Sequence, residues 1–375
     1  MKGRMDEDLS IIDPTEAYQT PTRADESDDP LATERLSERF REVTSGPEVR
    51  WELRYRLIRR LGAGGQGVVF LADRKGAFGA TFRLALKFYR PEGYSGSESY
   101  RAEMGRPARV AANLARLQQD HLLDIYNVIE LDGLHVLSME WVDGYDLRDL
   151  LKPRTLDRVR ETVNADRWDY VNDVIVTKAG EQSRLKPGVA IAIVRECLTG
   201  VAALHRNGIV HADLKPSNLM IKRTGNCKII DFGSAFVVGE PPLRSTWTPR
   251  YASVEVLEGA PHTPQADLAS LGYMLFEILS GEYPFVGLAG RELIDAKKAL
   301  PDELSKRLPK DVARNETLLA LIRGLIAPNP ADRFVSAEVA DQAPHGAAQF
   351  EQELVRANLS SNYENEIRLW LSELA

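Results

Sequence analysis

The stretch from Leu61 to Phe70 sets Gly62, Gly64 and Gly67 at the spacing of a phosphate-binding turn, and its flanks decide which kind of turn it is. In a dinucleotide site such glycines follow a strand and open a helix, with an acid about 20 residues on. Here Val68, Val69, Phe70 and Leu71 continue as a β-branched and aromatic run, and Lys87 stands where the acid would be. A P-loop requires Lys-Ser or Lys-Thr after the last glycine, and neither follows. What remains is strand, glycine turn, strand: a hairpin lid. In the next strand-like run, Phe82 to Arg90, alternation puts Ala85 and Lys87 on one face and Leu84, Leu86 and Phe88 on the other. A strand lysine is usually a solvated edge charge, so this one needs partners from elsewhere in the chain.

The rest of the chain reads as two unequal parts. Three strands are predicted between Tyr55 and Arg90, a helix from Pro107 to Gln118 with Pro107 in its first turn, and two strands near residues 123–131 and 134–141. After Asp143-Gly144 the pattern turns helical, at 145–151, 187–206, 264–280, 290–298, 315–326 and 334–341, with a charged, partly aperiodic insertion at about 152–186. Phe350, Leu354, Trp370, Leu371 and Leu374 suit a helical tail that docks on the body. We divide the chain into an acidic, largely disordered extension (1–50, with a short helix at 31–43), a sheet-rich part (51–142), a helical part (143–342) and the tail (343–375).

Charge follows these divisions. Residues 1–30 hold nine acidic against three basic residues, which accounts for most of the net charge of −7. The near-neutral remainder argues against a nucleic-acid binder. No apolar run approaches 18 residues and no signal peptide opens the chain, so the expected location is cytoplasmic, without membrane attachment. Cys197 and Cys227 lack metal-ligand spacing and read as small buried hydrophobes.

The partners for Lys87 lie downstream. His211-Ala-Asp213-Leu-Lys215-Pro-Ser-Asn218 sets a carboxylate, a cation and an amide two and three residues apart, and Asp231-Phe232-Gly233 follows thirteen residues after the asparagine. Phosphoryl transfer asks for such a set: a carboxylate to orient the attacking hydroxyl, a cation for the transferred group and oxygen ligands for metal ions.

On these motifs, taken in order over about residues 55–340, the chain resembles the eukaryotic-type (Hanks-type) serine/threonine protein kinases. The resemblance implies an α+β bilobal fold, with a five-stranded antiparallel sheet and one helix in the N-lobe and a larger, mainly helical C-lobe. It implies ATP and Mg²⁺ as cofactors and a protein substrate. Asp213 would be the catalytic base and Lys215 would contact the γ-phosphate. Asn218 and Asp231 would hold Mg²⁺, and Lys87 the α- and β-phosphates under a lid of Leu61, Gly62, Gly64 and Gly67. Val69, Ala85 and Met220 would enclose the adenine, the backbone of Met139, Glu140 and Val142 would meet its edge, and Asp146 would reach the ribose, although Asp146 equally fits a helix N-cap. His211, Asp267 and the pair Glu255 with Arg333 are assigned scaffolding.

Two departures stand out. The family pairs its strand lysine with a glutamate of the first helix; Glu103 is the nearest acid here, separated from the helical pattern by Gly105 and Pro107, and we assign it that place. Ala212 stands where many members carry an arginine that receives an activation-loop phosphate, so activity without obligatory phosphorylation there is expected. Retention of Lys87, Asp213, Asn218 and Asp231 favours an active serine/threonine kinase over a pseudokinase scaffold or a small-molecule phosphotransferase, both of which stay open on sequence alone. The physiological substrate and oligomeric state are not legible.

Overall fold

The structure is a computed structural model that describes residues 54–91, 97–131, 133–240, 247–357 and 359–374; the readings for the acidic extension lie outside them. Strands β1 Arg54–Gly64, β2 Gly67–Lys75, β3 Thr81–Tyr89, β4 Ile125–Leu131 and β5 Leu134–Met139 make one five-stranded antiparallel sheet in the order β1-β2-β3-β5-β4. Its register sets Val69 opposite Lys87 and Ala85 opposite Met139. The predicted alternation holds: Leu84 and Leu86 join Ala72 and Val136 in a small core on one face, while Ala85 joins the main core. At the lid, Gly67 lies so close to β3 that a Cβ would meet the Phe88 carbonyl oxygen at 2.1 Å, so only glycine lets the hairpin pair there.

The first helix corrects the sequence reading. Helix α1 runs Ser97–Leu114, so Pro107 lies in its interior and Glu103 within it. Pro107 removes one backbone hydrogen bond, yet Tyr100, Met104, Pro107, Ala111 and Leu114 recur at spacings of four and three and are all buried. Burial of that continuous stripe, which neither Gly105 nor Pro107 interrupts, outweighs local propensity.

In the larger lobe, α2 Pro187–Arg206 and α3 Pro264–Ser280 form the centre, and α3 is buried from Ala266 to Ser280. Helix α2 has the length and apolarity of a membrane span, and 72% of it is enclosed by the fold. Around them pack α4 Gly290–Arg307, longer than predicted because Leu300 and Leu304 extend its buried stripe past Pro301, and α5 Glu316–Ile326. Short strands deliver the loops: β6 Gly144–Asp146, β7 Val176–Lys178, β8 Ser183–Leu185, β9 Ile209–Val210, β10 Leu219–Lys222, β11 Cys227–Ile229 and β12 Phe236–Val237, paired as β11-β10-β6, β12-β9 and β7-β8. Cys197 and Cys227 are buried free thiols in contact, with sulfurs 3.7 Å apart.

Residues 152–186 are ordered structure, with helices Pro153–Thr162 and Ala165–Tyr170 and the hairpin β7-β8. Their charges have partners in the tail. Arg167 bonds Glu373 at 2.6 Å and Glu366 at 3.4 Å, and Arg158 donates to the Leu374 carbonyl at 2.7 Å. Helices α6 Ala347–Arg356 and α7 Tyr363–Ser372 pack on α2, and α7 buries Ile367, Trp370 and Leu371. Trp370, only 1% exposed, fills the largest such site. Trp370→Ala is expected to lower stability by about 3–5 kcal/mol, read from urea unfolding; a loss under ~1 kcal/mol would show that the tail adds little to this core.

Candidate active site

The site begins with a strained backbone. Strand β9 runs into His211-Ala212-Asp213, and Ala212 adopts a left-handed φ of 65°. A non-glycine residue there costs roughly 1–3 kcal/mol. The Asp267 carboxylate of α3 compensates, accepting the backbone N–H groups of His211 and Ala212, each at 2.9 Å, and facing His205 Nε2 at 2.9 Å. Two bonds to a charged acceptor, each worth ~1.5–3 kcal/mol, exceed the strain. Burial pushes the Asp267 carboxyl up, but His205 and the backbone donors hold its pKa below the ordinary value, so it stays ionised. His211 is fully buried beside the Phe232 ring at 5.3 Å, the packing role assigned to it.

The turn so held presents Asp213. Its Oδ1 accepts the Thr248 amide at 3.0 Å and the Thr248 hydroxyl at 2.7 Å, and its Oδ2 accepts Lys215 Nζ at 2.5 Å. Lys215 also reaches the Thr248 hydroxyl at 2.9 Å. Asn218 spends its amide nitrogen on the Asp213 carbonyl at 2.8 Å, which leaves its side-chain oxygen to act as an acceptor or metal ligand.

Across from this loop, Asp231 takes φ 61° and accepts the Gly233 amide at 3.2 Å. Lys87, 7% exposed, reaches over from β3 to its carboxylate at 2.5 Å. Burial disfavours the Lys87 ammonium, but the Asp231 carboxylate outweighs it and raises the lysine's pKa; desolvation of Asp231 is likewise overcome by Lys87, which lowers the carboxyl's pKa. Gln66, at the lid's tip, accepts a second hydrogen bond from Lys87 at 3.0 Å. Beside them Ala85, Met139 and Val142 form an apolar wall, with Val69 and Met220 packed against it. Glu140 is engaged by Lys228 at 2.6 Å through its side chain.

Residues 55–344 match the family model of the protein kinase domain. The chain belongs to the protein kinase family. Among curated relatives it is 30% identical over 299 residues to the serine/threonine-protein kinase PknD of Mycobacterium tuberculosis, an alignment covering 78% of this chain and 39% of that protein. It is 27% identical over 294 residues to the serine/threonine-protein kinase PrkC of Bacillus subtilis, covering 76% and 39%. The probable serine/threonine-protein kinase PknB of Lactococcus lactis matches at 30% over 244 residues, 62% of this chain and 32% of that protein. The chain thus spans about two fifths of the length of the first two relatives.

Within this kinase domain Lys87 has Asp231 and Gln66 as its hydrogen-bond partners among the described residues, and no hydrogen bond or ion pair joins Glu103 to it. Three residues on from Glu103 in α1, Arg106 donates to the Gly233 and Ala235 carbonyls. Asp146 caps helix Leu147–Leu150, accepting the Asp149 amide at 2.8 Å, and burial raises its pKa. Glu255 and Arg333 form a double bond of charges, 2.7 Å at each nitrogen.

Two further residues escaped the sequence reading. Gln66, the one polar side chain among the lid's glycines, had a signal in that position alone. Lys297 is fully buried on α4 between Leu293 and Leu300, a cation inside an apolar stripe, and that spacing was its signal. It donates to the Arg250 carbonyl at 2.8 Å and lies 3.5 Å from the Tyr273 ring centroid; burial pushes its pKa well down.

The Lys87–Asp231 pair carries a pH signature. A depressed carboxyl stabilises the fold above its unfolded value and loses that contribution on acidification, while a raised ammonium contributes until the pH passes its ordinary value. The stability gap between wild type and Lys87→Met is therefore expected to stay level from about pH 5 to 9 and to close below about pH 4. Urea midpoints across that range test it, and a gap unchanged at about pH 3 would exclude a contribution from the pair.

Proposed function

We propose that this kinase transfers the γ-phosphoryl group of ATP to serine or threonine hydroxyls of proteins. The observation that carries the reading is the hydroxyl of Thr248: it donates to Asp213 and accepts from Lys215, so base and cation already converge on a hydroxyl. An acceptor side chain taking that place would have its proton drawn toward Asp213 while Lys215 faces the arriving phosphoryl oxygens. Next to it lies a cavity of about 480 Å³ bounded by Arg148, Lys215, Thr248, Arg250, Phe285 and Leu293, of a size for an extended peptide's side chains.

The residues present suit the nucleotide and its metal. A Cβ at Gly62 or Gly64 would meet no atom within 4 Å, so at these two positions the protein leaves open space beside the lid backbone. Asp231 and the outward oxygen of Asn218 form the modest oxygen set that Mg²⁺ takes. We assign Mg²⁺ to Asn218 and Asp231; when bound it neutralises charge on the phosphate oxygens. Lys87 would leave Gln66 for the α- and β-phosphates, Val69, Ala85 and Met220 would flank the base, and with the Glu140 side chain taken by Lys228, the backbone of residues 139–142 is what remains for the adenine edge. Asp146 would reach the ribose, since its capping bond through Oδ1 leaves Oδ2 for a hydroxyl.

Radiolabelled ATP with Mg²⁺ and a basic protein acceptor tests the assignment. Asp213→Ala and Lys87→Met are each expected to cut kcat/KM by at least ~100-fold; equal incorporation by all three proteins would overturn the reading. Ala212, whose backbone is braced by Asp267, offers no side-chain charge to a phosphate, so ordering of the acceptor loop is assigned to constitutive contacts such as Glu255 with Arg333. Ser245→Ala with Thr246→Ala should then retain activity within about threefold; loss beyond ~30-fold would make a phosphate at one of those positions obligatory.

A further inference from the structure

Helix α1 carries an arginine aimed at the turn that holds Asp231. Arg106 donates through Nη1 to the Ala235 carbonyl at 2.7 Å, and through Nη1 and Nη2 to the Gly233 carbonyl, each at 3.3 Å. One turn further along, Arg109 Nε meets Glu240 at 3.1 Å, outside on the same stretch of chain. Residues 233–235 are a turn between Asp231, at φ 61°, and strand β12; that turn aims carbonyls inward where no strand partner accompanies them. A guanidinium answers this need, being a planar fork that spans two acceptors and never loses its proton.

We infer that Arg106 is the positioning residue that couples helix α1 to the reaction centre, in place of an ion pair between that helix and Lys87. The connection continues in both directions. Gly233 and Ala235 lead into β12, which pairs with β9 (Phe236 opposite Val210), and β9 delivers His211, Ala212 and Asp213. Gly233 also donates its amide to Asp231, so a shift of the turn moves the carboxylate assigned to Mg²⁺. Lys87 is served separately, by Asp231 from below and Gln66 from the lid. An arginine cannot accept from an ammonium, so among the described residues α1 and Lys87 are both tied to the Asp231–Ala235 turn and no bond joins one to the other. This arrangement rests on the assignment of Asp213 and Asp231 above, and it also makes a claim about nucleotide binding that stands without turnover.

The test compares wild type, Arg106→Leu, Arg106→Lys and Glu103→Gln in two measurements: phosphotransfer kinetics, and affinity for a fluorescent ATP analogue with Mg²⁺. Arg106→Leu is expected to lower kcat by ~10–100-fold, the scale of an ångström-level misplacement, with a smaller change in KM for the acceptor. Arg106→Lys, a single point donor that cannot bridge two carbonyls, should fall between, and Glu103→Gln should stay within about threefold in both measurements. Loss of more than ~10-fold in Glu103→Gln alongside a near-normal Arg106→Leu would overturn the inference, as would near-normal behaviour of both. Should Arg106→Leu fail to fold, Arg106→Lys against Glu103→Gln decides by the same criterion. If wild type proves inactive on protein, the kinase reading fails by itself, and nucleotide affinity still judges the arginine: weakening in the Arg106 variants alone upholds it, and equal affinity in all four proteins rejects it.

Discussion

The geometry of the candidate site depends on one buried carboxylate that acts through the backbone. Asp267, buried at 1% exposure on the central helix α3, accepts two consecutive amides and so holds Ala212 in a left-handed turn that alanine does not adopt for itself. That turn aims Asp213 at the Thr248 hydroxyl. A strained loop in the open would relax; this one cannot, because relaxing it would strand an ionised group inside the core of the helical lobe. Strain at the loop and the charge in the core stabilise one another, and the fully buried α3 is the rigid member from which both are positioned.

A second centre, the turn from Asp231 to Ala235, gathers contacts from the sheet, the lid and the first helix. Lys87, Gln66 and Arg106 approach it from β3, the lid tip and α1. Charge sorts them. The ammonium takes the carboxylate, the guanidinium takes the carbonyls, and the neutral amide of Gln66 spans Lys87 and Ser234. The loop from Thr248 to Tyr251 is held with similar economy: Tyr251 donates to Glu277 at 2.6 Å, Gln182 donates to the same carboxylate at 3.0 Å, and Lys297 donates to the Arg250 carbonyl. Gln182 belongs to the insertion, so that segment braces this loop through a buried chain of hydrogen bonds as well as carrying the tail.

Much of this was legible from short-range pattern. Alternation in 82–90 gave the inward face of Lys87, and the intervals within His211 to Asn218 gave the convergence of base, cation and amide, because a tight loop leaves such spacings few other arrangements. Glu103 went the other way: the buried stripe from Tyr100 to Leu114 carries the helix across Gly105 and Pro107 and so includes Glu103, yet among the described residues Lys87 is bonded to Asp231 and Gln66 instead. The bond from Lys297 to the Arg250 carbonyl and the contact between Cys197 and Cys227 were hidden for a different reason: the partners lie on other elements, and local spacing does not name them.

What the sequence determined by itself was therefore the fold class, the hairpin lid and the convergence of Asp213, Lys215 and Asn218, since periodicity and loop spacing act within a dozen residues. Tertiary structure decided who partners whom. Whether a helix of α1's composition offers Glu103 to a lysine or Arg106 to a pair of carbonyls depends on its rotation about its own axis, and that is set by packing of its apolar face against β4 and β12. Burial of that face is non-directional and favours whichever rotation hides it best; the polar contacts then follow the rotation, which is why they could not be read from the chain alone.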